Sequence, residues 1–434
     1  MESPVEMRVF NKALGFENVI SDVDYYSFTP RLNGQGSAEV AVPSDAPINT
    51  LLRTPGTRLS CRYRGEHLMS GPLRTQQGPF VTAAPSSIYS LQDDWRILKN
   101  TLAWVNPAAP LEPTSLDSPG QAWQTSPGTS GTVNGQSQYY VWPASISSAE
   151  AAVKHLITLN AVTRLGRPVT VLPNLDRGGN VRSAGLLPNI RFQSIAEAVE
   201  IILDWSGLIL SVWQDFDTAT IFVDVREPSV WPQVITPDSG IITDGDWSRM
   251  APDATRMVVG GPGQEAERAF WEVRDTTGLE SEYGDIIEVF RDATGAKLDW
   301  PADLAQDRRI AKYFRLRSDV ASAAKTAFTQ YLNAAGATGL AAGAPTSSLG
   351  VSLMESETFQ FAGERGIHLG DWLNASSNGI DITERITEAS ITLTKADGDR
   401  ATPVLGKRSD DPDQDLWDAI AGVDQALLNI IRKR

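Results

Sequence analysis

Short runs in which apolar and polar residues alternate fill the stretch from Val19 to Leu73. One run is centred on Val40, and Asn33-Gly34 before it favours a tight reversal of the chain. A second run passes through Cys61 and leads into another glycine turn. Strands that return at such short intervals predict a small antiparallel barrel or sandwich over residues 1–87.

Residues 88–230 change to helix-like spacing followed by strands. Two pairs of residues have capping-box spacing: Ser147 with Glu150, and Ser194 with Glu197. The second pair predicts a helix that Gly207 ends, with a strand hairpin after it. A helix followed by a hairpin is typical of an α+β domain rather than a doubly wound sheet. Residues 105–137 are rich in Pro, Gly, Ser and Thr and are predicted to form a long loop.

The β pattern returns in residues 231–408, which we predict to form a second barrel-like domain with inserted helices at 301–335. A helix in this insertion is expected to stop at Gly336. The final strands alternate as regularly as those near the amino terminus. We therefore hypothesise that residues 5–85 and the later β region ending near residue 406 share a fold.

Residues 409–434 predict a C-terminal helix. Asp411 is suited to the N-cap and Pro412 to the first helical position. An apolar stripe follows, mostly in alternating four- and three-residue steps: Leu416, Trp417, Ile420, Val423, Leu427 and Ile430. This spacing is compatible with a three-stranded coiled coil, so the stripe is a candidate oligomer interface. Docking on the same subunit or on another protein would explain the stripe equally well.

Charge and cysteine content narrow the possible functions. The 38 Lys and Arg residues against 53 Asp and Glu give a net charge of −15, which argues against a nucleic-acid-binding surface. The same charge is compatible with a channel through which nucleic acid slides, and equally with plain solubility. The single cysteine, Cys61, rules out an intramolecular disulfide framework. No apolar run reaches the ~20 residues of a membrane span, and the first residues do not form a signal peptide, so we expect no stable membrane insertion.

The residues that carry chemistry predict no catalytic, cofactor or metal site. Three histidines stand apart without metal-ligand spacing, and neither a nucleophile elbow nor a phosphate-binding loop occurs. The run Gly261–Ala266 matches a dinucleotide fingerprint, but the alternation after it indicates a strand where the fingerprint needs a helix. Glu355 and Glu357 lie too close along one strand to flank a glycosidic bond from opposite sides.

Several short motifs follow one another along the chain: Phe28–Val40 (FTPRLNGQGSAEV), Leu51-Leu52, Arg62–Gly65, Ser70–Pro72, Val258–Phe270, Leu369–Asp371 and Pro403–Gly406. Their order from about Val5 to Gly406 resembles the minor tail proteins of long-tailed phages, the tail-hub group. The segment after Arg408 is an addition to this shared part.

The resemblance implies a structural virion protein without enzymatic activity, made in the host cytoplasm and placed at the tail tip. Such hubs assemble as trimers, close the distal end of the tail tube and adapt its sixfold symmetry to a threefold tip. The implied partners are further copies of the chain, the distal tail protein, the tape measure protein and tip or receptor-binding proteins, with DNA only in transit during ejection. Two alternatives remain: a carbohydrate-binding tip module, which the twelve tryptophans could serve, and a tail-associated wall hydrolase.

Overall fold

A computed structural model describes residues 4–78, 86–104, 140, 142–182, 187–188, 190, 192–218, 220–249, 251–261, 270–293, 322–345, 347–356, 359–377, 380–394 and 398–406. Its strands are β1 (Val5–Phe10), β2 (Phe16–Ile20), β3 (Tyr25–Thr29), β4 (Ser37–Pro43), β5 (Arg58–Tyr63), β6 (Glu66–Gln77), β7 (Ser86–Gln92), β8 (Val169–Val171), β9 (Ile209–Gln214), β10 (Ile221–Arg226), β11 (Val230–Ile235), β12 (Ile242–Arg249), β13 (Arg256–Gly260), β14 (Phe270–Arg274), β15 (Glu288–Asp292), β16 (Ser347–Leu353), β17 (Trp372–Ser377), β18 (Ile380–Thr394) and β19 (Gly398–Leu405). Its helices are α1 (Asn49–Leu52), α2 (Arg96–Lys99), α3 (Ala149–Ile157), α4 (Ile195–Ser206), α5 (Leu279–Tyr283) and α6 (Ser322–Ala342), with a π-helical turn at Thr158–Arg164 and a 3₁₀ turn at Pro237–Ser239. The predicted α+β class is confirmed.

The first strand unit comprises β1 to β7, in the antiparallel order β2-β1-β5-β6-β7-β4-β3. Its alternating residues face a common core that includes Tyr26, Tyr63 and Tyr89. The first half of β6 pairs with β5 and its second half with β7, so this strand passes from one half of the unit to the other. Gly71 lies at the crossing, where a Cβ atom would stand 1.9 Å from the Gln92 carbonyl oxygen.

The second strand unit comprises β11, β12 and β16 to β19, in the order β12-β16-β19-β18-β17-β11. All neighbours are antiparallel except β11 and β17, which run parallel. Like β6, the long strand β18 pairs with a different strand along each of its halves. Its first half pairs with β17 and its second half with β19.

The two strand units have the same strand order. When the strands of each unit are numbered along the chain and β2 is set aside, both sheets read 2-3-6-5-4-1. Agreement in strand order is what the hypothesis of a shared fold requires. One difference remains at the last position, where β1 is antiparallel to β5 but β11 is parallel to β17.

One strand pair joins the two units into a continuous thirteen-stranded sheet. Edge strand β3 of the first unit pairs antiparallel with the second half of β18, Phe28 opposite Ile391. An ion pair of 2.8 Å between Arg31 and Glu388 extends the contact.

The middle unit packs α3 and α4 on a sheet of order β8-β10-β9. The Ser194–Glu197 capping box is confirmed, and Gly207 ends α4 in the left-handed conformation, as predicted. The Ser147–Glu150 box is wrong by one residue, because the N-cap of α3 is Ser148. Glu150 instead accepts a hydrogen bond of 2.7 Å from Lys154 in the buried interior.

A small insertion lies between β12 and β16 and consists of the sheet β14-β13-β15 with α6. The predicted stop at Gly336 is wrong, because α6 continues to Ala342. Gly336 allows close packing instead: a Cβ atom there would lie 2.3 Å from Val273 Cγ2. The dinucleotide fingerprint falls between antiparallel strands β13 and β14 rather than before a helix. In the part of the chain that the structure describes, no helix is long and apolar enough to cross a membrane.

Candidate assembly interface

The predicted oligomer stripe, which consists of Leu416, Trp417, Ile420, Val423, Leu427 and Ile430, lies outside the described residues. It therefore stays a prediction, as does the loop at residues 105–137. The described part of the chain offers a different candidate, formed by strand edges.

Among the described strands, two edges lack a neighbouring strand at positions where the corresponding edge of the other strand unit has one. Strand β12 holds the same place in the second unit as β3 in the first, yet β12 has no strand beside its outer edge among the described residues. The second half of β6 corresponds to the part of β18 that receives β3. Residues 74–77 there are exposed and, within the described part of the chain, pair with β7 alone. The described strands thus form one junction between strand units, β3 with β18, and they include two unpaired edges, β12 and β6, that could form a second junction of the same kind.

A buried polar network ties the first strand unit to the middle unit. Arg58 donates to both carboxylate oxygens of Asp94, at 2.8 and 2.6 Å, and to Oε1 of Gln214 at 2.9 Å. The Ser70 hydroxyl donates to Asp94 at 2.9 Å and accepts from the backbone amide of Gln214 at 2.8 Å. The side chains of Arg58 and Asp94 are only 5% and 0% exposed, so each charge depends on the other. This network fixes the orientation of the edges in the first unit relative to the middle unit.

A second cluster joins all three units. His368 Nε2 lies 2.8 Å from Glu66 Oε2 of the first unit, and Nδ1 lies 3.3 Å from Asp371 Oδ2. Arg226 of the middle unit donates to Asp371 Oδ1 at 3.0 Å. The hydrogen bond with Asp371, followed by the charge of Glu66, raises the pKa of His368. Burial acts against ionisation of Asp371, but hydrogen bonds from His368, Ser229 and Arg226 hold its pKa at about 2.

This cluster predicts a pH dependence of stability. Because the pKa of His368 is raised in the folded protein, the stabilisation from its charge is complete below about pH 6.5. It is lost as pH rises through the folded value. The stability advantage of the native protein over His368→Gln should therefore shrink between pH 6 and pH 8, by at most about 1 kcal/mol because the groups are partly solvated. Urea unfolding at both pH values measures this difference.

His155→Gln is the matched control, because burial lowers the pKa of His155. The stabilisation linked to His155 is present above about pH 6.5 and decreases as pH falls. Its pH trend is therefore opposite in sign to that of His368. Equal pH trends for the two variants would contradict the assignment to the His368 cluster.

Of the two glutamates considered for catalysis, Glu355 has structural partners, and Glu357 lies outside the described residues. Glu355 accepts hydrogen bonds from Tyr63 Oη at 3.0 Å and from the Phe361 amide at 2.8 Å. Cys61 is fully buried, and burial raises the pKa of its thiol, which disfavours the reactive thiolate. No group of three or more potential metal ligands occurs among the described residues.

Three solved structures are similar to most of this chain. The tail protein from Neisseria meningitidis MC58 is 13% identical with a TM-score of 0.46, over 93% of this chain and 96% of that chain. The 43 kDa tail protein of prophage MuSo2 from Shewanella oneidensis is 10% identical with a TM-score of 0.49, over 93% and 98%. Prophage tail protein gp18 from Listeria monocytogenes EGD-e is 10% identical with a TM-score of 0.46, over 97% and 99%.

No curated protein matches the sequence. A family model does match, over residues 137–407, and it ends where the resemblance drawn from the sequence motifs ends. The family is described as Siphovirus ReqiPepy6 Gp37-like protein. The chain belongs to this family of siphovirus tail proteins, and it is a structural phage tail protein, as the motifs predicted.

Proposed function

We propose that this protein is the hub of a long phage tail, where three copies close the distal end of the tube and form part of the DNA channel. Its neighbours in this proposal are the distal tail protein, the tape measure protein and the tip or receptor-binding proteins. The proposal keeps the predicted four-part division into residues 1–87, 88–230, 231–408 and 409–434, with the difference that β7 carries the first strand unit on to Gln92. It assigns no hydrolytic or redox activity to any of them.

The observation that supports this proposal most directly is the repeated strand order with one filled and one open junction. In each copy, β3 is already paired with β18. The open edge of β12 in one copy can pair in the same way with the second half of β6 in the next copy. Such a contact joins unlike edges, so it must close into a ring or continue as a filament.

A closed ring of three copies would present six equivalent strand units around one axis. This number matches the sixfold tube that the resemblance implies. The alternating strands, with one face toward the core, leave the other face for neighbours or for a channel.

The mass of the purified full-length protein in solution tests the proposal, with three times the 47.1 kDa chain as the expected result. Thr75→Pro and Gln76→Pro are a matched pair of variants. Successive amides of a strand point to opposite sides, so one proline removes a donor toward β7 and the other removes a donor on the open edge. Of the two variants, the one whose missing amide faces the open edge is expected to stay folded but to lose assembly.

The predicted C-terminal stripe is tested with the double variant Ile420→Asp/Leu427→Asp, which should prevent assembly while the strand units stay folded. Normal trimers from both proline variants would overturn the strand-edge contact. Normal trimers from the double variant would overturn the role of the helix.

A further inference from the structure

Three arginine side chains converge at the carboxyl end of α2. Arg96 belongs to α2 itself, while Arg164 and Arg167 come from the end of the π-helical turn after α3 and the loop that follows. Arg164 donates to the Leu102 carbonyl at 2.7 Å, and Arg167 donates to the Asn100 carbonyl at 3.3 Å. The Arg164 guanidinium also lies 4.9 Å from the centre of the Trp104 ring. We refer to Arg96, Arg164 and Arg167 as the arginine cluster.

The arginine cluster has no counterion among the described residues. None of its three side chains forms a salt bridge there, and the Nε atom of each is buried without an acceptor. Asp94 is the acid that acts most strongly on Arg96, but both its oxygens are held by Arg58 in the buried network. Burial, followed by repulsion from Arg167, lowers the pKa of Arg164.

Converging positive charges with unused buried donors are unfavourable unless an anionic group satisfies them. This arrangement is conspicuous in a chain whose net charge is −15. Leu102 and Leu165 beside the cluster are 46% and 45% exposed. Guanidinium groups with apolar and aromatic neighbours are typical of the centre of a protein interface, where carboxylates are bound bidentately.

We propose that the arginine cluster binds the acidic start of this chain's own C-terminal segment. That start contains five aspartates: Asp410, Asp411, Asp413, Asp415 and Asp418. No lysine or arginine stands between Arg408 and Arg432 to neutralise them. The segment therefore offers the carboxylates that the cluster lacks.

The distances within one subunit permit this contact. Gly406, the last described residue, donates its amide to the Arg385 carbonyl. Burial lowers the pKa of Arg385, and the carboxylate of Asp204, near the carboxyl end of α4, acts in the opposite direction. The amino end of α4 adjoins the arginine cluster, because the Ile195 amide donates to the Thr101 carbonyl at 2.8 Å. The twelve residues of α4 span about 18 Å. The six residues from Gly406 to Pro412, before the predicted helix, can extend over about 20 Å. The first helical turn to Asp415 adds about 5 Å.

Docking of the acidic start would anchor the base of the predicted C-terminal helix and leave its later apolar residues, from Ile420 onward, for contacts with other copies. The inference rests on the proposed function only for that last role. The docking itself is a property of one chain and can be measured whether or not trimers form.

A pair of cysteines tests the docking in the full-length protein. Leu165→Cys is placed beside the cluster and Gln414→Cys in the acidic run, so that no charge is changed. The native Cys61 is fully buried and does not compete for a bifunctional maleimide reagent. Leu175→Cys with Gln414→Cys is the control pair, because Leu175 is exposed and its neighbour Asp176 accepts a hydrogen bond from Ser148 at the amino end of α3. Leu165 lies at the other end of α3 and its π-helical turn, about 20 Å away.

We expect an intramolecular cross-link to form about tenfold faster with Leu165→Cys than with Leu175→Cys, the ratio expected for about 1.4 kcal/mol of preferential contact. About 1 M NaCl, which screens surface charges, should remove most of that difference. Arg96→Gln should also reduce it without lowering the melting temperature, because the Arg96 side chain donates no hydrogen bond within the described chain.

Equal rates for the two cysteine pairs would overturn the proposal, as would a fast cross-link that is insensitive to both salt and Arg96→Gln. A product of twice the chain mass would overturn docking within one chain. The state of assembly, measured on the same samples, separates these outcomes from failure of the proposed trimer.

Discussion

Replacing Arg58 with alanine is expected to lower the free energy of unfolding by about 3–5 kcal/mol, because it leaves the Asp94 carboxylate buried without its partner. Asp94 has no exposed surface, and Arg58 supplies two of its hydrogen bonds. Urea denaturation followed by both fluorescence and circular dichroism measures the change.

Arg31→Ala is the matched control for Arg58→Ala. The Arg31–Glu388 pair has a similar distance of 2.8 Å, but its side chains are 51% and 33% exposed. Removing Arg31 should therefore cost no more than about 1 kcal/mol. If both variants lose the same stability, the buried network does not have the energetic role assigned to it.

Replacing Gly71 with alanine is expected to cost more than about 3 kcal/mol or to prevent folding. The added Cβ atom would lie 1.9 Å from the Gln92 carbonyl oxygen and 2.8 Å from its carbon. Both are backbone atoms, so a rotamer change cannot relieve the clash, and strands β6 and β7 must separate. Soluble yield and thermal unfolding of the variant measure the effect.

Gly34→Ala is the control for Gly71→Ala, since the nearest atom to its Cβ would be the Leu32 carbonyl oxygen at 3.5 Å. That is an ordinary contact, and the change should be within about 1 kcal/mol. A well-folded Gly71→Ala protein would show that β6 does not need the close approach seen at its crossing.

The elements that the sequence predicted correctly are those whose ends are determined by neighbouring residues. The cap of α4 and its end at Gly207 are determined by neighbouring residues, and both are confirmed. Local spacing favoured Ser147, which has Glu150 three residues on, but Ser148 is the N-cap and Glu150 is held by Lys154 in the interior, a tertiary contact that the spacing does not show. Gly336 was misread as a stop because nothing in the sequence shows that α6 packs closely on Val273.

The candidate interface could not be predicted in the same way. Alternation shows that one face of a strand is buried, but it does not show which strand lies beside it. The open edges of β12 and β6 become visible only when the strand order of the two units is compared. The Arg58 network likewise joins residues from distant parts of the chain, and no spacing within β5 points to Gln214.

The pairing of β3 with β18 has a consequence for synthesis of the protein on the ribosome. Strand β3 contains Tyr26 and Phe28, both fully buried in the finished molecule, but its partner at Ile391–Leu393 is almost the last part of the described chain to be made. At about 5–20 residues per second, the edge of β3 waits roughly 20–70 s for that partner. During this interval an unpaired edge can recruit strands from neighbouring nascent chains. The production of correctly assembled tails should therefore depend on host chaperones that shield this edge until translation ends.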